Sequence, residues 1–147
     1  VKGVYRPKNS YFLRAESFYN VASKTIEYGK TYDGKTLHAQ SHGESFFSII
    51  KGEFEPYGLF LLDEPEAALS ISKQLSLLYE LHRLSQKGAQ FIIVTHSPIL
   101  LGLPGAKIYS FSENGVEEVS YEQTQSYELT ELFINQRQSL LRNLLEE

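Results

Sequence analysis

The chain predicts an α/β fold built on a mostly parallel sheet flanked by helices, and three observations carry that expectation. Two continuous apolar runs, FLL in GLFLLDEP and FIIV in QFIIVTHSP, read as strands covered on both faces, the habit of parallel sheets. Between them lies a stretch of helical periodicity long enough for a crossover. Both runs end in polar groups, Asp63-Glu64 and Thr95-His96, and parallel sheets bind their ligands at the carboxyl ends of strands.

The elements follow in order. Ser10 is placed to cap a helix over 10–26, since Phe12, Ala15, Tyr19, Ala22 and Ile26 recur at helical spacing. A Gly-rich loop occupies 29–36, and a short helix over 45–50 opens just after Gly43. The strand 59–62 runs into Asp63-Glu64-Pro65. A helix over 69–86 shows two apolar rows, Ile71, Leu75, Leu78 and His82 in one and Leu77, Leu81 and Leu84 in the other. That breadth suits a helix lying on a sheet, and Gly88 ends it. The strand 91–95 is expected to be fully buried, and Ser97-Pro98 to start another helical turn. Strands near 107–111 and 116–120 flank Glu113-Asn114-Gly115, and an amphipathic helix over 128–145 closes the chain.

With 147 residues, 41% hydrophobic and 22% charged, the chain reads as one globular domain over 1–147. No apolar run approaches the ~20 residues a membrane helix needs. There is no cysteine, which removes disulfides and thiolate metal sites and makes a reducing, cytoplasmic setting the expectation. There is no methionine either, even at position 1, so the sequence reads as a piece of a longer protein. Residues 1–38 carry seven Lys/Arg against three acids, a net of +4 within a chain of −4. Such an end suits a phosphate or nucleic-acid partner, or simply a solvated surface, because no basic cluster is interleaved with aromatics.

GKTYDGKT, residues 29–36, matches G-x-x-x-x-G-K-[ST] letter for letter. A phosphate loop must follow a buried strand and open a helix, so that backbone N–H groups converge on the phosphates. Here polar SKTIEY precedes it and SHG soon follows, so we read it as a solvated Gly-Lys turn. The alternative is a compact nucleotide hydrolase in which Lys35 holds phosphate.

Three clusters remain. Asp63 and Glu64 at a strand end suit a metal-shell acid followed by a carboxylate that orients or deprotonates water. His96, alone, is more often a structural residue; beside a nucleotide it would donate to the terminal phosphate. Gln40-Ser41-His42-Gly43-Glu44 precedes a helix, and hydroxyl, glycine and helix dipole together make an anion nest or merely a capped helix. Glu66 is a further ligand candidate, although exposure is the plainer expectation.

Taken together, SHGES, FLLDEPEAALS and FIIVTHSP resemble the ATPase head of the ABC class, specifically its bacterial AAA-type, SMC- and RecF-like relatives. The resemblance implies the C-terminal portion of a P-loop NTPase fold, with ATP and Mg²⁺ as its ligands. By resemblance, Asp63 is the Walker B metal-shell acid, Glu64 the catalytic carboxylate, 65–70 the D-loop and His96 the switch histidine. Ser41, His42, Gly43 and Glu44 stand where the signature motif falls, which caps ATP in trans across a dimer of heads. His42 replaces the usual glycine, Glu44 the usual glutamine and Ser70 a frequent aspartate. The family's Walker A and Q-loop precede the signature by a long stretch this sequence does not contain. The implied partners are therefore an N-terminal half carrying Walker A, a second copy of the head and, in some relatives, nucleic acid. Two other classes stand beside this reading: a metal-dependent hydrolase or nuclease using Asp63, Glu64, Glu66 and His96, and a non-catalytic module that keeps only the shape.

Overall fold

A computed structural model describes residues 9–14, 42–113 and 115–145, which fall into two compact units, Val1–Thr95 and His96–Glu147. GKTYDGKT and Ser41 lie outside the described residues.

In the first unit, β1 (Ser10–Arg14), β2 (Leu59–Asp63) and β3 (Gln90–Val94) form a parallel sheet in the order β1-β2-β3. The α/β expectation holds. The helix expected from Ser10 does not: residues 10–14 are a strand, with Ser10 beside Leu59 and Arg14 beside Asp63. Tyr11-Phe12-Leu13 are residues that favour a pleated surface, and their burial alternates, Leu13 at 1% exposure and Phe12 at 63%. Pairing with the central strand overrides the helical spacing.

One face of this sheet is covered. Helix α1 (His42–Glu53) contributes Phe47, Ile49 and Ile50, and α2 (Ile71–Ser85) contributes Leu77, Leu81 and Leu84 to a core centred on Phe60 and Leu62. Phe60 stacks on Phe54 at 4.3 Å and on Phe91 at 5.4 Å, and Tyr11 joins the cluster against Phe54. Of the two apolar rows expected on α2, only Leu77, Leu81 and Leu84 are buried. Ile71 and Leu75 are exposed. α2 ends in a turn where the N–H groups of Lys87 and Ala89 both reach the Leu84 carbonyl, with Gly88 left-handed at φ +83 and closely covered by the Tyr57 ring.

The opposite face is open, which corrects the expectation of a fully buried β3. In-register pairing aligns Phe12, Leu61 and Ile92 in one row and Arg14, Asp63 and Val94 in the next. Ile92 is 52% and Val94 57% exposed. A run of four apolar residues fits a strand covered on both faces; among the described residues β3 is instead an edge strand with one face bare.

The second unit begins at His96. A short helix α3 (Pro98–Leu101) is capped by the buried Ser97, whose hydroxyl accepts from the N–H groups of Ile99 and Leu100. An antiparallel hairpin follows, β4 (Ile108–Ser112) with β5 (Gly115–Val119), at the expected place. The closing helix α4 (Gln125–Leu145) starts three residues earlier than expected and departs from helical geometry at Gln136. Tyr121 ties the start of this segment to α3 by donating its hydroxyl to the Pro98 carbonyl at 2.9 Å. No residue of α4 is buried, and Leu129, Phe133, Ile134, Leu144 and Leu145 are exposed. None of the described helices is long and apolar enough to cross a membrane.

Candidate active site at the end of the central strand

Asp63 and Glu64 stand at the carboxyl end of β2, the middle strand, where the sequence places them. Strand alternation puts Asp63 on the open face with Leu61, since Phe60 and Leu62 face the core. Its side chain is 29% exposed, and the Arg14 Nε lies 3.0 Å from its Oδ2. The cross-strand register dictates that contact: Arg14 ends β1 as Asp63 ends β2. On the other side of Asp63, its partner in β3 is Val94, which brings no charge.

Glu64 turns the chain out of the sheet. Its backbone is left-handed, φ 47 and ψ 51, an uncommon place for a residue with a side chain. Two neighbours brace this turn at Glu64. Its N–H donates to the Val94 carbonyl at 2.9 Å, which extends the β2–β3 ladder by one bond. Pro65 is buried and disfavours the right-handed helical conformation in the residue before it. The carbonyl of Glu64 then accepts from Ala67 to start a 3-10 turn, Pro65–Ala68, which Leu69 anchors in the core. The Glu64 carboxylate is thus carried on a braced, strained backbone and is exposed to solvent.

Glu66 lies in that 3-10 turn and is half-buried, with one carboxylate oxygen enclosed and without a hydrogen bond, so the expected exposure is not found. Among the described residues no three His, Cys, Asp or Glu side chains assemble into a metal cage. Mg²⁺ does not need one: it is commonly held by one or two carboxylates, with phosphate and water completing its shell. A single half-exposed carboxylate at a strand end fits that use.

His42, Gly43 and Glu44 form the first turn of α1, which starts three residues before the expected Ser45. Glycine and acid thus sit within the helix rather than in a loop before it, where backbone N–H groups lack intrahelical acceptors. His96, exposed, is the first residue of the second unit. The structure therefore brings Asp63 and Glu64 together, and adds to them Arg14, which the sequence reading passed over. Its signal was present: Tyr11-Phe12-Leu13-Arg14 is an apolar run ending in a charge, as Leu59 to Asp63 is.

Residues 37–102 match the family described as "AAA domain, putative AbiEii toxin, Type IV TA system". This segment is similar to an AAA/ABC-like ATPase head. It contains SHGES, FLLDEPEAALS and FIIVTHSP, and it begins one residue after GKTYDGKT ends. No curated protein matches the chain. Among solved structures, the SMC head domain from Thermotoga maritima is similar at 15% identity, with a TM-score of 0.47. The alignment covers 74% of this chain and 52% of that one, so the chain spans about half the length of that head domain.

Proposed function

We propose that the chain is the C-terminal portion of an ATP-hydrolysing head that works as a dimer and is inactive alone. The observation that carries this reading is the Asp63-Glu64 pair, set at the end of the central parallel strand with Glu64 held in a strained, hydrogen-bonded turn. Strain of that kind persists where the surroundings over-determine it, and it clusters at functional sites.

In this reading Asp63 lies in the metal shell and Glu64 orients the attacking water and receives its proton. A Mg²⁺ ion held through Asp63 would supply charge neutralisation for the phosphates. His96 donates to the terminal phosphate, an assignment taken from the resemblance. Ser41, His42, Gly43 and Glu44 cap the nucleotide of a second copy; the helix N-terminus at His42 supports this, because its N–H groups favour an anion. Further polypeptide carrying Walker A supplies most of the nucleotide contact. The bare row Phe12, Leu61 and Ile92, with Val94 beside it, supports that part of the reading, since exposed apolar patches of this kind mark contact surfaces.

Calorimetry with Mg-ATP on the 147-residue chain and on Lys35→Ala, with phosphate release on the same samples, tests the proposal. Neither is expected to bind tightly or to release phosphate. Turnover is expected once a Walker A-bearing portion is supplied, and to vanish in Glu64→Gln. Tight binding by the chain alone that disappears in Lys35→Ala would overturn the reading and make residues 29–36 the phosphate loop.

A further inference from the structure

We infer that Arg14 is the charge that holds Asp63 when no cation does, and that a divalent cation and the Arg14 guanidinium compete for the Asp63 carboxylate. The inference rests on the reading of Asp63 as a metal-shell carboxylate.

The geometry sets up a competition. Arg14 and Asp63 are cross-strand neighbours at the last position of their strands, on the open face, with Nε to Oδ2 at 3.0 Å. A guanidinium is always protonated and has no lone pair to offer a metal, so it cannot share in coordination. A cation on the same carboxylate meets a like charge within a few ångströms. Val94, on the other flank, neither repels nor replaces it. The Arg14 side chain is 52% exposed and sits on a bare face, so it has solvent to swing into when it is displaced. Its worth as a partner is that of a partly exposed ion pair, large enough to set an affinity and small enough to be exchanged. The guanidinium also fixes the direction in which the Asp63 carboxylate points. Arg14 is in this sense a positioning residue and a gate on cation entry.

Mn²⁺ provides the test, because it broadens nearby amide signals without any nucleotide present. The 147-residue chain, Arg14→Gln, Arg14→Lys and Asp63→Asn are titrated, and the Mn²⁺ concentration that half-broadens the amides of Leu62, Asp63 and Val94 is compared. Arg14→Gln keeps the length of the stem and removes the charge. It is expected to reach half-broadening at about two- to five-fold less Mn²⁺, the size of a half-exposed ion pair. Arg14→Lys, with charge retained, is expected within about two-fold of the parent, and the spread of amide signals reports that each variant is folded. An Arg14→Gln that needs as much Mn²⁺ as the parent, or more, overturns the competition while leaving Asp63 as a ligand. Local broadening that survives in Asp63→Asn, or is absent from both the parent and Arg14→Gln, overturns the metal reading of Asp63 itself.

Discussion

Replacing Glu64 by glycine is expected to strengthen the fold while removing the carboxylate to which the proposed function assigns the water. The left-handed conformation at φ 47, ψ 51 costs a residue with a Cβ roughly 1–2 kcal/mol, and glycine almost nothing. Glycine gives back about 0.4–1 kcal/mol through the greater freedom of its unfolded chain. The difference leaves Glu64→Gly more stable than Glu64→Ala by roughly 0.5–1 kcal/mol. Alanine is the right reference because it loses the same carboxylate and keeps the Cβ. Urea denaturation followed by far-ultraviolet circular dichroism measures the gap. With a slope of about 2 kcal/mol per molar, the midpoint of the glycine variant should lie about 0.3–0.5 M higher. The backbone is held by the Glu64 N–H bond to Val94 and by Pro65, so neither variant is expected to relax out of the turn. A glycine midpoint equal to or below that of alanine would refute the claim that this turn stores strain. A side chain kept there at a cost to stability is the signature of a residue retained for what it does.

Gly58→Ala is expected to lower stability by about 1–3 kcal/mol, because the added Cβ would fall 2.3 Å from the ring carbon Cζ of Phe60 and that ring is locked in the aromatic stack; thermal denaturation reads the loss. Phe60→Ala should cost about 3–5 kcal/mol in urea, since its ring is fully buried between Phe54 and Phe91. Ser97→Ala removes the acceptor for two N–H groups at the start of α3 and should cost about 1 kcal/mol, with hydrogen exchange at Ile99 and Leu100 accelerated. Tyr11 has its phenol pKa raised by burial and, secondarily, by Glu53. A raised pKa means the folded state holds the proton more tightly. Its contribution to stability is therefore full below the ordinary value of about 10 and fades as pH rises through the folded-state value. Alkaline absorbance titration should show late tyrosine absorbance that is lost in Tyr11→Phe and moved part-way back by Glu53→Gln.

Much of the fold was legible because its signals are local. The run from Leu59 to Asp63, the helix ending at Gly88 and the hairpin of β4 and β5 are each specified by neighbouring residues, and each falls within a few positions of its expected place. What was not legible depends on pairing across long sequence distances. Phe12 and Ala15 have helical spacing, yet Ser10–Arg14 is a strand because Leu59–Asp63 offers it a ladder forty-nine positions away. The apolar letters of β3 say that it wants cover and cannot say that one face lacks it. Arg14 was the largest omission for the same reason: the apolar run before it marks a strand that ends in a charge, but only the register sets that charge against Asp63. The strain at Glu64 could have been suspected, since an acid that must leave a strand and precede a proline has few conformations open to it.

The open face and the ion pair at its end belong to one problem. Phe12, Leu61, Ile92 and Val94 share their side of the sheet with Arg14 and Asp63, so whatever covers the apolar rows also removes water from beside the charges. Lower local polarity strengthens the Arg14–Asp63 attraction and at the same time raises the cost of a bare carboxylate. A cation arriving at Asp63 after the face is covered must therefore displace a tighter partner than the one present in the exposed sheet. The exchange stays easy only if the guanidinium gains a new anion as it leaves, and the phosphates of a bound nucleotide are such an anion. If Asp63 is the metal-shell carboxylate of the proposed function, cation entry there is expected to be tied to nucleotide entry by charge balance. The corresponding expectation is that free Mn²⁺ binds the exposed chain more readily than it binds a covered head without nucleotide.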